Sequence, residues 1–363
     1  MRRHRSGYIL PLVLMIVAVL TSIATYMYYR GSVYASFVPL ITSREKAKVL
    51  ALGGVQLAIA QLSVVSPEKK EKKQPALAPT AQQPDVQKPT NGDSVEWPKK
   101  FLASLLPLIN RWQEVKFERG RDKIDGRVSI YISCENGKLN LNELLARASQ
   151  PTKSVVGAQP QQIFVTLAKS LNLTQEIFSG AMSWWAARKG VWANDVTELV
   201  EAKGFASCAQ HLFVEPKTAD AKEVVVPVCL ADLFTVWTEP VTLEPWLMSE
   251  SLIRVLGGRF ERAGPNAGRR TAKDFEALLR DFKVRTNWKT EWDKVIKPLH
   301  AVTFAQVPAL IGMMINSEFN PTTFSIVSHA RVADVTQRVC AIVRRAKQSN
   351  DAAMFDVIKL YWL

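Results

Sequence analysis

Few residues in this chain are of the types that make or break bonds. Of its four histidines, His211, His300 and His329 stand apart from any cluster of polar partners, the ordinary setting of a structural histidine. Gly-x-Ser-x-Gly, His-Glu-x-x-His, Gly-x-x-x-x-Gly-Lys-Ser/Thr and Cys-x-x-Cys are all absent from the sequence. Hydrolase, zinc-protease, nucleotide-loop and dithiol readings therefore have no anchor, and a non-enzymatic role with no cofactor is expected. Four cysteines remain, Cys134, Cys208, Cys229 and Cys340. In an oxidising compartment they allow three connectivities, with Cys208 and Cys229, which flank a short stretch, as the preferred pair; four buried free thiols are the alternative. One further pattern bears chemistry. Arg254 to Lys297 holds 12 Lys/Arg and six Asp/Glu, with Phe260, Phe275, Phe282, Trp288 and Trp292 interleaved, a composition that suits either a nucleic-acid strand or amphipathic helices with basic outer faces.

What must position such groups begins at the N-terminus. Tyr8 to Tyr29 is 22 residues without a charge, about 33 Å of helix against a bilayer core of about 30 Å. Arg2, Arg3 and Arg5 precede it and Arg30 closes it, so the positive-inside bias leaves a short tail in the cytoplasm and exports the rest. A cleaved secretory peptide is the rival reading, but its apolar region is usually about 7–15 residues long. Helical spacing then continues through Phe37, Leu40, Ala47, Leu50, Ala51, Gly54, Leu57, Ala58 and Leu62, which predicts one rod, bent at Pro39, far longer than spanning requires. Residues 63–100 change character: Pro67, Pro75, Pro79, Pro84, Pro89 and Pro98 with a Lys/Glu run predict an extended linker. Beyond it, Glu114 to Phe117 and Gly126 to Cys134 alternate as a hairpin, with Val128, Ile130, Ile132 and Cys134 on one face and Ser129, Tyr131 and Ser133 on the other. Asn136-Gly137 supplies a turn into Lys138 to Asn142, and a helix is expected from about Glu143.

These residues carry a resemblance. A basic leader ending at Gly7, followed by an apolar helix that turns amphipathic, resembles the type IV prepilins and type II secretion pseudopilins. The resemblance implies cleavage between Gly7 and Tyr8 by a prepilin peptidase and methylation of the new amine. The class usually carries Glu at the fifth mature position, where this chain has Leu12; a helix lacking that carboxylate suits a filament end better than its middle. Glu135-Asn136-Gly137-Lys138-Leu139-Asn140-Leu141-Asn142 is similar to an element of the K-type minor pseudopilins. Phe324 to Ala330 and Ala341 to Arg345 resemble that family's closing strands. Calcium ligands often present in the family's helical domain have no counterpart in Trp184 to Trp192, so a calcium site is not identifiable.

The remaining pattern fits the same plan. Ile163, Leu167 and Leu171, then Ile177, Ala181, Trp184 and Trp185, form apolar helical stripes. Asp195 to Glu198 reads as a capping box for a helix ended by Gly204, Thr271 to Asp274 as another, and Glu244-Pro245-Trp246 starts a helix stopped by Gly257-Gly258. Thr323 to Ala330, Val332 to Arg345 and Met354 to Trp362 read as three strands of a meander. The expected fold class is α+β: a pilin-like N-terminal helix packed on an antiparallel sheet, with a large helical domain inserted. The expected divisions are leader 1–7, helix 8–62, linker 63–100, first β part 101–147, insert 148–299 and closing meander 300–363.

The resemblance implies a structural subunit at the tip of a secretion pseudopilus, in which Leu12 and Pro39 belong to a helix packed among sibling helices. Implied partners are the I- and J-type minor pseudopilins, the major pseudopilin, the peptidase and the inner-membrane assembly platform. The implied location is single-pass in a bacterial inner membrane, with the bulk in the periplasm. Two readings stand beside it: a minor pilin that binds nucleic acid through its basic surface, and a membrane-anchored domain with no filament role. The net charge of +14 favours an anionic neighbour without choosing one.

Overall fold

A computed structural model describes residues 9–65, 93–149, 159–170, 176–216, 228–240, 243–258, 275, 279–280, 282–283, 286–346 and 355–363. Gly7, Tyr8, most of the linker and the Thr271–Asp274 cap lie outside the described residues.

Helix α1 (Ile9–Val65) is continuous over 57 residues, about 85 Å long at 1.5 Å per residue. Pro39 is inside it and does not end it. The apolar stretch makes α1 long and hydrophobic enough to cross a membrane, with none of its most apolar window buried in the chain. Burial begins at Ala47 and recurs at Leu50, Ala51, Gly54, Val55, Ala58 and Leu62, the spacing of three and four that keeps one face of a helix on a surface. Gly54 sets the closeness of that seat. A Cβ there would lie 2.3 Å from Ser328 Oγ and 2.7 Å from Val128 Cγ1, so any side chain would push the helix off the sheet.

The sheet beneath has the order β1-β2-β5-β6-β7, from β1 (Trp112–Phe117), β2 (Gly126–Cys134), β5 (Thr323–Val332), β6 (Val335–Arg345) and β7 (Phe355–Trp362). Every pairing is antiparallel. Ile130, Ser328, Val339 and Trp362 lie opposite one another across four strands, and this row shares the face on which Gly54 rests. Strand β2 leaves the sheet at Cys134, and the chain returns beside it as β5 at Thr323. Everything between is an insertion into one antiparallel pair, so the α+β plan holds; the inserted span, Glu135 to Thr322, is wider than the 148–299 expected.

The insertion contains helices Leu141–Ser149, Gln159–Ser170, Ile177–Ala187, Glu250–Val255 and Trp288–Val295, with 3-10 runs at Val196–Glu201 and Ala206–His211. Two short strands, β3 (Leu139–Asn140) and β4 (Phe234–Thr235), pair in parallel.

Several expectations need correcting. Helix α1 runs three residues past Leu62, and Asp93–Leu105 is a second helix, α2, where the proline count predicts linker to residue 100. The Asp195 cap is real, its carboxylate accepting from the Thr197 N–H at 2.9 Å. The segment it starts is a 3-10 run over Val196–Glu201, short of Gly204. Tyr131 and Ser133, the polar face of β2, are buried to 2% and 1% exposure, because the insertion covers the face of the sheet opposite α1. Alternation reports which side of a strand is apolar; it does not reveal a second domain closing over the polar side.

Candidate functional site

Two regions stand out, an apolar helix that nothing in the chain covers and a buried polar joint between sheet and insertion. In the first, the large side chains from Leu10 to Ile41 are exposed, among them Leu12 at 60% and Phe37 at 51%. The polar groups there are internally satisfied: Thr21, Ser22 and Thr25 hydroxyls donate to the carbonyls of Val17, Ala18 and Thr21, each at 2.8 Å. Such back-bonding removes the cost of placing a hydroxyl in an apolar medium. From Leu10 to Thr25 the helix therefore offers apolar contact, followed by a belt of exposed Tyr26, Tyr28, Tyr29, Arg30 and Tyr34.

The joint is built on the eight residues Glu135 to Asn142. Lys138, buried with Glu135 at 2% side-chain exposure each, pairs with the Glu135 carboxylate. The same ammonium donates to Ala231 O at 2.7 Å and Ser325 Oγ at 2.9 Å, so one charge ties the corner, the insertion and β5 together. Burial alone would lower the Lys138 pKa, but Glu135 and Asp232 outweigh it and hold it above the ordinary lysine value. Asn136 Oδ1 accepts from the N–H groups of Thr322 and Thr323 at 3.0 and 3.2 Å, and its carbonyl accepts from Glu244 N–H at 2.7 Å. The point where the chain leaves the sheet is thereby fixed to the point where it returns. Gly137 passes so close to the insertion that a Cβ would sit 1.8 Å from Leu247 O. Asn140 donates to Thr238 O at 2.8 Å and caps the following helix by accepting from Glu143 N–H at 3.0 Å. Asn142 exchanges two bonds with the Ala193 backbone, at 2.8 and 3.0 Å, as a neighbouring strand would.

Partners of this corner lie far along the chain, and the sequence reading did not reach them. Asp232 accepts from Ser133 Oγ at 3.3 Å and from Ser251 N–H at 2.9 Å; Asn110 Nδ2 donates to Met248 O at 2.9 Å. A signal existed: Asp232 is a lone carboxylate in the apolar run Cys229 to Phe234, and a buried charge implies a partner. Glu244 accepts from Asn320 N–H at 2.9 Å, and burial pushes its pKa up to about 8. His329, packed at 5.1 Å against Trp112, is held down to about 4 by burial and by Arg338. The space enclosed among Tyr131, Lys138, Asp232 and Tyr361 is about 30 Å³, room for a single water. This is a packed joint rather than a ligand pocket.

The other expected groups separate. Cys134, Cys208, Cys229 and Cys340 are all buried and none is in a disulfide, so the structure does not join Cys208 to Cys229. Burial raises the Cys340 thiol to about 12, which suits the alternative of small apolar residues. Phe275, Phe282, Trp288 and Trp292 are buried and stacked on the core, with Trp246 and Phe282 5.3 Å apart and Trp288 and Trp292 5.9 Å apart. Rings packed in this way are not available to stack on bases, which weakens the nucleic-acid reading at four of its five rings; the fifth, Phe260, lies outside the described residues. Among the described residues no group of three or more His, Cys, Asp or Glu is placed to hold a metal.

No family model matches the chain, and no curated protein matches its sequence. In a comparison of folds it is similar to a chain in the crystal structure of the GspK-GspI-GspJ complex from the type 2 secretion system of enterotoxigenic Escherichia coli. The likeness has a TM-score of 0.40 at 13% identity and covers 88% of this chain and 96% of that chain.

Proposed function

We propose that this chain is a K-type minor pseudopilin, a structural subunit that seats at the tip of a short secretion filament and supports protein export. The observation that carries the reading is α1: one unbroken helix whose inner half is fixed on the chain's own sheet and whose outer half is apolar and uncovered. Lipid covers that outer half before assembly, and the stems of the I- and J-type subunits and of the major pseudopilin cover it afterwards. The sheet is seated on the stem at Gly54 and the insertion is tied to the sheet by the Lys138 joint, and the bulk of the head blocks addition of a subunit above it. Leu12 in place of the usual carboxylate favours this end position, because such a subunit brings no buried charge to offset a neighbour's amine. In this reading the chain is anchored in the inner membrane with its head in the periplasm, and its work is mechanical.

Co-expression with a prepilin peptidase and its assembly platform, followed by intact-mass measurement, tests the proposal. Loss of residues 1–7 with one added methyl group is expected. An unchanged mass, or a Gly7→Ala chain that is processed and exports cargo as the parent does, would reduce the protein to a plain anchored domain.

A further inference from the structure

The two edges of the sheet differ. Strand β1 places the charges Glu114 and Lys116 within six residues, of the kind that keep an edge from pairing; β7 carries Asp356 and Lys359, but from Leu360 to Trp362 it is uncharged. Strand β7, at the other end, has no further strand beside it among the described residues. Its Val357, Ile358, Leu360 and Trp362 are 46%, 38%, 40% and 49% exposed.

The backbone says what such an edge accepts. Leu363 N–H donates to Arg338 O at 3.1 Å, so by the alternation of an antiparallel ladder residues 359 and 361 also turn their N–H and C=O groups toward β6. Those of Leu360 and Trp362 face outward, on a regular stretch beyond the register shift at Ile342/Val343. A helix or lipid laid over these side chains would strand the outward N–H and C=O groups in a dry contact without partners, which is costly. An added strand satisfies both the backbone and the apolar side chains. A two-fold copy paired antiparallel at this edge would reverse the direction of its α1, and two reversed stems do not enter one membrane from the same side. That last step alone rests on the stem being membrane-embedded.

We propose that the outer edge of β7 is a strand-addition site that takes an extended, alternating apolar segment of a different protein chain as a sixth strand. The test uses the full chain in detergent micelles. The probe is a labelled, end-blocked peptide, Thr-Val-Thr-Val-Glu-Val-Lys-Val-Thr, and a control is the same peptide with backbone amides N-methylated along both edges. Fluorescence anisotropy should show binding of the probe below about 1 mM and at least about tenfold weaker binding of the methylated peptide. Leu360→Pro removes one outward N–H, a change that edge strands tolerate, and should abolish binding with the melting temperature unchanged. Leu360→Lys keeps the N–H and should weaken binding only a few-fold; if the proline variant does not fold, this variant and the methylated peptide decide. No binding of the probe, equal binding of the methylated peptide, or undiminished binding to a folded Leu360→Pro chain overturns the proposal. Self-association of the parent chain that Leu360→Pro abolishes would assign the edge to a second copy and also overturn it.

Discussion

The inner and outer halves of α1 both carry apolar residues at every turn, yet they meet opposite fates. From Ala47 to Leu62, small and branched apolar residues recur at three and four, and each lies on the sheet with almost no exposure. From Leu10 to Ile41 the apolar residues run all round the helix and every large one is exposed. A helix that is apolar on one stripe can be completed by its own chain, whereas one apolar on all sides needs a surrounding that its own chain does not supply. The contrast separates what stabilises the head from what the stem is for.

Substitutions can break this comparison. The largest effect is expected at the joint: Lys138→Met leaves Glu135 buried without its partner and should cost about 3–5 kcal/mol of head stability, read by chemical denaturation in micelles. Leu62→Ala empties a fully buried site on α1 and should cost about 2–5 kcal/mol, while Leu20→Ala, in the exposed half, should leave the head's denaturation midpoint unchanged. A midpoint shift for Leu20→Ala as large as that for Leu62→Ala would mean that the two halves are not energetically separate. Gly54→Val should destabilise by about 1–3 kcal/mol through overpacking; Gly31→Ala, where a Cβ meets nothing within 4 Å, should leave the head unaffected.

A change of pH sharpens the picture further. With its pKa raised from 4.5 to about 8 by burial, Glu244 keeps its proton in the folded state after the unfolded chain has lost it. Its contribution is complete below about pH 4.5 and is lost as pH rises toward about 8, at up to about 1.4 kcal/mol per pH unit. Glu244→Gln should flatten the stability profile over that window. His329, lowered from 6.5 to about 4, acts with the opposite sign: its contribution is present above about 6.5 and lost as pH falls toward about 4. A difference profile between parent and Glu244→Gln chains that is flat between pH 5 and 8 would show that this carboxyl is not held neutral.

Local pattern made the strands and the stem legible, because each is recorded in residues that neighbour one another in sequence. The alternation of Val128, Ile130 and Ile132 placed β2, and the uncharged run after Tyr8 placed the outer part of α1, in both cases through a period that burial imposes on consecutive side chains. The corner at Asn136-Gly137 was legible as a turn, but its work was not. Gly137 is required by the backbone of Leu247, and Asn142 by that of Ala193, contacts across more than fifty residues that leave no periodic trace. The cysteines show the same limit, since spacing brings Cys208 and Cys229 to mind as a pair while the fold keeps them as separate buried thiols.

By itself, then, the sequence determined the helix and the apolar faces of the strands, since hydrophobic period and turn chemistry act over a few residues. Only the tertiary structure decided that Lys138 joins three segments, that Tyr131 and Ser133 are covered, and that β7 lies at an edge of the sheet with no further strand beside it among the described residues. Those outcomes depend on which distant surfaces come to lie against each other, and burial of a polar group or a strand edge is a property of that contact rather than of the residue.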